Sequence, residues 1–390
     1  MKLESVDFFY VAMPEVKNIG DGSQDALLVR VRAGGLEGWG ECEASPLTSI
    51  AAYVTPMSHS GLKPVCWSLE GETLDSPADI RRIRDKVLLN SFDLLQAPHT
   101  LSGIDIALWD LLGKKEGAPV WSLLGHKQAY PKIAYASMLF QDTAEATGSE
   151  VARAVQLGHK AVKLGWGSFG RDLALDEAHL DAARAAAGDD IILLADAGTC
   201  WALCPAEAEK RLAALVRNRF TWLEEPFAAY DYELYGTLAA KSVPVSLAGG
   251  EGSHNPEMAR HLMDYGGVGF IQIDTGRVGG ITPAMEVAAY ARTKGVVYVN
   301  HTFTTSLALS ASVQPFAGEE DWKLCEFPFA PTTLARELNE PGLWPDADGL
   351  LRLPDAPGLG VPVNVAAVKK YLVPVSISAG GKELYRTPEV

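Results

Sequence analysis

The pattern of hydrophobic and polar positions changes near residue 130. Before this point, residues 25–42 alternate apolar and polar side chains around a Gly-Gly turn, which predicts a β-hairpin. Residues 100–117 carry apolar side chains at helical spacing, which predicts a helix with Thr100 as its N-cap and Gly117 at its end. Strands followed by helices predict an α+β domain of about 125 residues.

After residue 130, short apolar runs alternate with helical stretches. Two of the helices are expected to begin at Asn255-Pro256 and Thr282-Pro283, each an N-cap followed by a proline. The predicted strands are residues 132–138, 161–165, 191–196, 221–225, 243–249, 268–274, 296–300 and 322–326. Alternating strands and helices form parallel βαβ units, so this region predicts an α/β fold of the (β/α)8 TIM-barrel type. A doubly wound sheet is the alternative, but no GxGxxG follows the first strand.

Ionisable residues lie at the ends of seven consecutive predicted strands. They are Lys163, Asp196, Glu224, Glu251, Asp274, His301 and Glu326, and from Asp196 onward they are 23 to 28 positions apart. One such residue is commonly a helix N-cap or a solvated charge, but that explanation does not account for a regular series. Because the carboxyl ends of barrel strands meet at one mouth, the series predicts a single polar site.

Three of these residues, Asp196, Glu224 and Glu251, are carboxylates on neighbouring strands. Held close together, they would repel one another and one would become protonated, unless a divalent cation lay between them. Oxygen ligands favour a hard ion, so Mg²⁺ is the first expectation and Mn²⁺ the alternative. The coordination positions left over would suit a substrate carboxylate.

Asp274 and His301 end adjacent strands and predict an acid–base pair, because a neighbouring carboxylate fixes the tautomer of an imidazole and raises its basicity. Glu326 would hydrogen-bond a developing oxyanion if burial raised its pKa. Lys163 is either a cation near the substrate or a salt-bridge partner of the carboxylates. Together these residues predict removal of a proton α to a carboxylate, with electrostatic stabilisation of the resulting enediolate.

A series of motifs resembles the mandelate racemase subgroup of the enolase superfamily. In chain order they are GWGEC (38–42), SGIDIALWDLLGKKEG (102–117), WSLLG (121–125), KAVK (160–163), LAD (194–196), WLEEP (222–226), AGGE (248–251), QIDTGRVGG (272–280) and NH (300–301). The resemblance implies a capping domain at 1–125, a modified TIM barrel at 126–355, and a C-terminal segment at 356–390 that returns to the capping domain. It also implies a homo-oligomer and a small-molecule substrate with a carboxylate.

The resemblance also implies a role for each residue at the strand ends. It implies that Mg²⁺ is bound by Asp196, Glu224 and Glu251, and that Asp274 and His301 form the acid–base dyad. Glu326 would hydrogen-bond the substrate carboxylate or enolate, and Lys163 matches the first lysine of the family's KxK motif.

The third position of that motif is Gly165, where racemases of this subgroup carry a second base. Racemisation needs a base on each face of the substrate, whereas His301 by itself can remove the α-proton and then protonate a leaving β-hydroxyl. The leading expectation is therefore syn dehydration of an acid sugar to a 2-keto-3-deoxy acid by a lyase. Racemisation or epimerisation through another group, cycloisomerisation of an acid-sugar lactone, a Schiff-base aldolase using Lys163, and a retired enzyme kept as a binding module are the alternatives.

Residues 15–24 and 44–60 are expected to act as lids over the site. They carry Lys17 and His59, which are either contacts for substrate hydroxyls or solvated loop residues. Trp166 is expected to pack between barrel and helices, or else to fill the space beside Gly165. Arg277 is expected to neutralise the dyad or to pair with a helix acid.

Composition excludes several classes of protein. Hydrophobic residues make up 47% of the 390 and charged residues 21%, as in ordinary globular chains. No run approaches the roughly 20 apolar residues of a membrane span, and the start lacks a signal-peptide core, so a cytoplasmic protein is expected. The net charge of −15 disfavours nucleic-acid and anionic-membrane partners. The five cysteines include no CxxC pair, and Cys200 and Cys204 lack further zinc ligands nearby.

Overall fold

The structure, a computed structural model, describes residues 1–43 and 45–390. Its strands are β1 (Leu3–Ala12), β2 (Asp25–Ala33), β3 (Leu36–Cys42), β4 (Lys132–Leu139), β5 (Ala161–Gly165), β6 (Ile192–Asp196), β7 (Phe220–Glu224), β8 (Ser246–Gly249), β9 (Phe270–Ile273), β10 (Val297–Asn300), β11 (Leu324–Pro328), β12 (Leu350–Leu351), β13 (Ser376–Ala379) and β14 (Lys382–Arg386). Its α-helices are α1 (Pro46–Val54), α2 (Val65–Leu69), α3 (Pro77–Asn90), α4 (Ala97–Glu116), α5 (Val120–Leu123), α6 (Ala144–Gln156), α7 (Leu173–Ala187), α8 (Ala206–Arg217), α9 (Tyr232–Ser242), α10 (Pro256–Tyr265), α11 (Ile281–Lys294), α12 (Ser306–Val313), α13 (Thr333–Leu338) and α14 (Val365–Tyr371).

The N-terminal part packs an antiparallel sheet, in the order β1-β2-β3, against the long helix α4. The predicted hairpin is β2–β3, and both turn glycines have positive φ, as a two-residue hairpin turn requires. Strand and helix approach closely because Gly38 and Gly40 of β3 lack side chains: a Cβ on either would collide with the backbone of α4. The resulting unit is the predicted α+β fold.

Helix α4 begins four residues earlier than expected, with Gln96 rather than Thr100 at its N-cap. Thr100 is not its N-cap, because the helix starts at Ala97 and the Thr100 hydroxyl instead donates to the carbonyl of Ser49, 3.0 Å away. Pro98 fits the first turn of a helix, where its missing N–H costs nothing. The predicted end is confirmed, since Gly117 closes the helix in the left-handed conformation.

The eight strands β4 to β11, all within the described residues, form a nearly closed parallel barrel in the order β10-β9-β8-β7-β6-β5-β4-β11. No backbone ladder joins β10 to β11 in this part of the chain. The side chain of Asn300 bridges the seam instead: its Oδ1 accepts from Glu326 N at 2.9 Å, and its Nδ2 donates to the Glu326 carbonyl at 3.4 Å. A side-chain amide thereby takes the place of a backbone ladder.

The barrel interior is filled by one layer of buried side chains, namely Tyr135, Ala161, Leu194, Trp222, Ala248, Val299 and Leu324. Successive side chains along a strand point to opposite faces, so a residue two positions further along also points inward. Two positions after Ala161, Leu194 and Trp222 come Lys163, Asp196 and Glu224; two after Val299 and Leu324 come His301 and Glu326. The apolar layer therefore supports the polar site.

Two details of the predicted barrel differ in the structure. Strand β8 begins at Ser246 rather than residue 243, after Pro244, which cannot donate to a ladder. Thr282 lies inside α11, whose N-cap is Gly280; the Thr282 N–H donates to Asp105 Oδ1 of α4 at 3.0 Å. Asn255 caps α10 as predicted, accepting from Met258 N at 2.9 Å.

The chain returns to the N-terminal sheet after the barrel. Val373 N donates to the Tyr10 carbonyl at 2.8 Å, and the Tyr385 hydroxyl of β14 donates to the Phe8 carbonyl at 2.6 Å. The predicted domain limits stay predictions. Of the helices in the described ranges, none combines the length and the apolar composition that a membrane span requires.

Candidate active site

A cavity of about 240 Å³ lies at the carboxyl ends of the barrel strands, beneath residues 19–22 of the N-terminal part. Four of the predicted site residues line it directly: Lys163, Asp196, Glu251 and His301. The other three, Glu224, Asp274 and Glu326, are buried directly behind them and contact Lys163 or His301. The structure therefore brings together all seven residues that the strand-end pattern selected.

Lys163 is buried among carboxylates on the floor of the cavity. Its Nζ lies 2.7 Å from Glu224 Oε1, 2.7 Å from Glu326 Oε1 and 3.7 Å from Asp196 Oδ2. Burial by itself would lower the pKa of Lys163, but the attraction of Glu224 and Glu326 outweighs it and holds this pKa well above the ordinary value. The ammonium group therefore stays charged and acts as a fixed cation.

His301 and Asp274 form a buried pair across β9 and β10. His301 Nδ1 lies 2.7 Å from Asp274 Oδ2, which directs Nε2 toward the cavity, 3.1 Å from Glu251 Oε2. The backbone N–H of Gly276 donates to Asp274 Oδ1 at 2.6 Å and holds that carboxylate in place. Burial opposes a charge on His301, but Glu251, Glu326 and the hydrogen bond to Asp274 raise its pKa to about 10. The imidazole thus holds a proton in this charge environment.

Glu326 connects the lysine to the histidine. Its Oε1 accepts from the Ser137 hydroxyl at 2.8 Å and from Lys163, and its Oε2 accepts from the backbone N–H of Thr302 at 2.9 Å. The same Oε2 lies 3.9 Å from His301 Nε2. Both oxygens act as acceptors in this arrangement, so the expected role of Glu326 as a donor to an oxyanion stays a prediction.

The predicted metal ligands provide a dense set of buried oxygens. Burial raises the pKa of Asp196 and of Glu224, and repulsion from neighbouring carboxylates raises both further. Glu225, the next residue, is also buried, and its pKa is raised by burial and by Glu251. Such repulsion is what a divalent cation would relieve, so the chemistry of the donor set fits Mg²⁺.

The present arrangement of these carboxylates is that of an ion-pair network. Among the residues that the structure describes, no three carboxylate, imidazole or thiol side chains surround a common point as metal ligands would. Lys163 bridges Asp196 and Glu224, while Glu251 contacts His301 and Arg277. Magnesium binding therefore stays a prediction, and it requires these oxygens to turn away from their present cationic partners.

Gly165 lies beside Asp196, on the inward face of β5. A Cβ on Gly165 would lie 2.7 Å from Asp196 Oδ2 and 2.9 Å from Asp196 Cβ. Both distances are shorter than the distances that Cβ atoms keep from non-bonded atoms in proteins. The first atom of a side chain at position 165 would thus meet the Asp196 side chain, although Gly165 itself lines the cavity.

Trp166 does not pack between the barrel and its helices, as expected, but lines the cavity. It is 45% exposed, has a positive φ of 54°, and lies beside Gly20 and Gly198. Trp166 directly follows the last residue of β5, and its positive φ turns the ring toward the mouth of the cavity. The alternative expectation, that its ring fills the space beside Gly165, stays a prediction.

Arg277 links the N-terminal part to the barrel. Its Nε donates to Glu43, and its NH1 lies 3.1 Å from Glu251 Oε1. Its guanidinium therefore pairs with no acid of a helix among these contacts, while its backbone N–H donates to the Asp274 carbonyl at 3.2 Å. Glu43 and Phe303 were missed in the sequence because each lies just beyond a predicted strand and gives no periodic signal. Ser137, which also lines the cavity, lies two positions after the inward-facing Tyr135, so the alternation along β4 could have found it.

The two predicted lids differ in whether they line the cavity. Residues 19–22 line the cavity, so the first prediction holds for part of that loop. The second, 44–60, contains helix α1; Ala44 lies outside the described residues. Neither Lys17 nor His59 is among the described residues that line the cavity, and His59 Nε2 lies 3.4 Å from Asp93 at the surface.

Comparison with known proteins was made against family models, curated proteins and solved structures. Residues 146–367 match the model described as "Enolase C-terminal domain-like", and residues 14–125 match the "Mandelate racemase / muconate lactonizing enzyme, N-terminal domain". A D-galactarolactone cycloisomerase from Agrobacterium fabrum is 29% identical over 87% of this chain and 89% of its own length. A protein named putative L-rhamnonate dehydratase, from Caldivirga maquilingensis, is 33% identical over 52% of this chain and 49% of its own length.

A solved structure described as a predicted mandelate racemase from Rhodobacter sphaeroides covers 99% of both chains with 52% identity and a TM-score of 0.95. The agreement extends from the antiparallel N-terminal sheet to the parallel barrel and the C-terminal return. On the two matched models, the order of strand-end residues and this fold, the chain belongs to the mandelate racemase / muconate lactonizing enzyme family of the enolase superfamily.

Proposed function

We propose that the protein dehydrates an acid sugar, removing the proton α to its carboxylate and then the β-hydroxyl on the same face. The observation that carries this proposal is the one-sided base: His301 faces the cavity with Asp274 behind it, while the second-base position is Gly165, which has no side chain to carry a proton. One base can serve both steps of a syn elimination, whereas racemisation requires two.

In the proposed reaction one nitrogen, His301 Nε2, both accepts the proton and returns it. Neutral His301 Nε2 takes the α-proton, and the electrons of the broken C–H bond pass into the substrate carboxylate as an enediolate. These electrons then form the Cα–Cβ double bond as the C–O bond at Cβ breaks, and Nε2 returns its proton to the leaving hydroxyl as water. The enol that remains ketonises to a 2-keto-3-deoxy acid. Asp274 holds the Nδ1 proton throughout and stabilises the imidazolium.

Charge on the substrate carboxylate would be met by the floor of the cavity. Lys163 is a permanent cation there, and we assign it to hold and orient that carboxylate. Mg²⁺ held by Asp196, Glu224 and Glu251 would supply further stabilisation of the negative charge that develops on the carboxylate oxygens. Mg²⁺ would also offset the negative charge of Glu251, one of the groups that raise the pKa of His301 to about 10. The pKa of His301 would then fall toward the range of a working base.

Cycloisomerisation is the second candidate. It shares the α-proton removal, but the oxygen lost from Cβ belongs to a lactone ring rather than to a hydroxyl group. The A. fabrum relative, named D-galactarolactone cycloisomerase, matches 87% of this chain and supports this alternative. The dehydratase name of the C. maquilingensis relative supports the first candidate.

A test follows α-proton exchange and product formation together. Purified protein with Mg²⁺ is incubated in D₂O with a panel of acid sugars and their lactones, and NMR records α-deuterium incorporation and 2-keto acid. We expect a 2-keto-3-deoxy acid from a free acid; ring opening of a lactone without loss of water would identify the cycloisomerase instead. His301→Asn should lose at least about 10³-fold in kcat, while His261→Asn, an exposed histidine on α10, should retain activity. Wild-type activity in His301→Asn would refute the assignment.

A further inference from the structure

The cavity has an outer wall at its mouth, formed by the N-terminal part and the rim of the barrel, which we call the distal wall. It comprises residues 19–22, Glu43, Leu139, Trp166 and Phe303. A Cβ on Gly20 would lie 3.1 Å from Trp166 and 3.3 Å from Leu139, and one on Gly22 would lie 3.5 Å from Phe303 and 3.6 Å from Glu43 Oε1. Residues 19–22 thus cross the mouth from the β4–β5 side to the β10 side.

Both charged side chains of the distal wall are acidic. Asp21 uses Oδ1 to accept from the backbone N–H and the hydroxyl of Ser23, at 2.9 and 2.7 Å. Glu43 uses Oε2 to accept from Arg277, which leaves its Oε1 beside Gly22. The other side chains of the distal wall, among them Leu139, are apolar or aromatic. This end of the cavity therefore offers acceptors and apolar surface.

The positive side chains lie elsewhere or are already paired. Among the described residues that line the cavity, the cationic side chains are Lys163, Arg277 and His301. Lys163 and His301 lie at the strand ends, where the reacting carboxylate and α-carbon would be. Arg277 is bound between Glu43 and Glu251. No described cation of this cavity is left for a second carboxylate at the far end of a substrate.

We infer that the substrate is an aldonate, a sugar acid with one carboxylate and a neutral far end, and that Asp21 and Glu43 reject an aldarate, which has a carboxylate at both ends. This inference rests on the proposed function. Like charges facing each other across a site reduce affinity and so provide discrimination. The exposed ring of Trp166 provides apolar surface for the C–H groups of the neutral chain.

The test compares aldonates and aldarates of matched chain length and configuration in the presence of Mg²⁺. Binding is measured by calorimetry on His301→Asn, which is not expected to consume the ligand. The inhibition constant of each aldarate against wild-type turnover gives the same comparison without a variant. We expect the matched aldonate to bind at least about tenfold more tightly than the aldarate, and to be the member of the pair that wild type converts.

The possible results separate this inference from the proposed function. An aldarate that binds as tightly as its aldonate, or more tightly, overturns the inference and leaves the proposed function standing. Tight binding of aldonates without α-deuterium exchange in wild type supports the inference on ligand class and overturns the proposed function. If no member of the panel binds, both fail.

Charge-neutralising variants test the assigned residues. Asp21→Asn retains a capping oxygen, and Glu43→Gln retains a hydrogen-bond acceptor for Arg277. In each variant the affinity for the aldarate relative to the aldonate should rise about tenfold. Asp190→Asn, an exposed residue before β6, is the matched control and should leave this ratio unchanged. An unchanged ratio in both Asp21→Asn and Glu43→Gln would overturn the assignment.

Discussion

At the scale of single residues, Gly165 shapes the site through its lack of a side chain. Gly165 faces inward two positions after Lys163, so a longer residue there would point at the substrate. Asp196 instead approaches so closely that a Cβ would lie 2.7 Å from its Oδ2. The same glycine therefore removes a base and gives a predicted metal ligand its room.

Gly165→Ala should damage the site without introducing any new chemistry. The added methyl group must displace Asp196, so we expect kcat/KM to fall at least about tenfold and Mg²⁺ affinity to fall with it. Steady-state kinetics and calorimetric Mg²⁺ titration measure both. Gly148→Ala in α6 is the control, because a Cβ there would make ordinary contacts with Ala182 of α7 from 3.4 Å outward. Normal activity and metal affinity in Gly165→Ala would contradict the close approach.

At the scale of elements, two side chains connect segments that backbone pairing does not join in the described part of the chain. Asn300 joins β10 to β11 across the open seam of the barrel and thereby sets His301 near Glu326. Glu41 of β3 accepts a hydrogen bond from Thr305, whose hydroxyl also caps α12. Glu41 thus connects the N-terminal sheet to the barrel just after the loop that follows His301.

Glu41 should make stability depend on pH. Burial raises its pKa from 4.5 to about 7, so the folded state binds a proton more tightly than the unfolded chain. This contribution is fully present below about 4.5, falls as pH rises to about 7, and stays lost above it. Its size is on the order of 3 kcal/mol. Urea denaturation of wild type and Glu41→Gln measures it.

As the pH rises from 4.5 to 7, the free energy of unfolding of Glu41→Gln should increase relative to that of wild type. Glu37→Gln, an exposed position on the same strand, serves as the control and should follow wild type. A difference that does not change with pH would mean that Glu41 titrates normally in the folded protein.

At the scale of the whole molecule, the N-terminal part completes the cavity that the barrel begins. Residues 19–22 cross the mouth, and Glu43 reaches Arg277, which in turn contacts Glu251 at the barrel floor. The interface between the two parts therefore lies within the site, and substrate contacts belong to both of them. Cations, carboxylates and imidazole form one connected network at this interface.

Removal of divalent cations should abolish activity and reduce stability. Mg²⁺ would relieve the repulsion among Asp196, Glu224 and Glu251, so chelation should stop turnover, and added Mg²⁺ or Mn²⁺ should restore it. A ligand at 100 times its Kd stabilises a protein by about 2.7 kcal/mol, which thermal unfolding detects. Glu251→Gln should lose this stabilisation and Asp190→Asn should keep it. Full activity after exhaustive chelation would exclude a metal-dependent reaction.

Local patterns in the sequence were sufficient for much of the fold and for the set of residues at the strand ends. Alternation of period two places Lys163, Asp196 and His301 on the inward face, and their spacing of one βα unit brings consecutive strand ends to one mouth. Local signals failed where a distant segment supplied the partner. Thr100 and Thr282 look like N-caps in isolation, but Ser49 and Asp105 bind them within helices that begin earlier.

The sequence by itself determined the barrel, its order of polar strand ends and the missing base at Gly165, because backbone periodicity and side-chain chemistry are local properties. The tertiary structure decided what those residues touch. Arg277 binds Glu43 from 234 positions away, Trp166 turns into the cavity, and residues 19–22 close over it. Such contacts follow from how two folded parts dock, and no spacing along the chain encodes that docking.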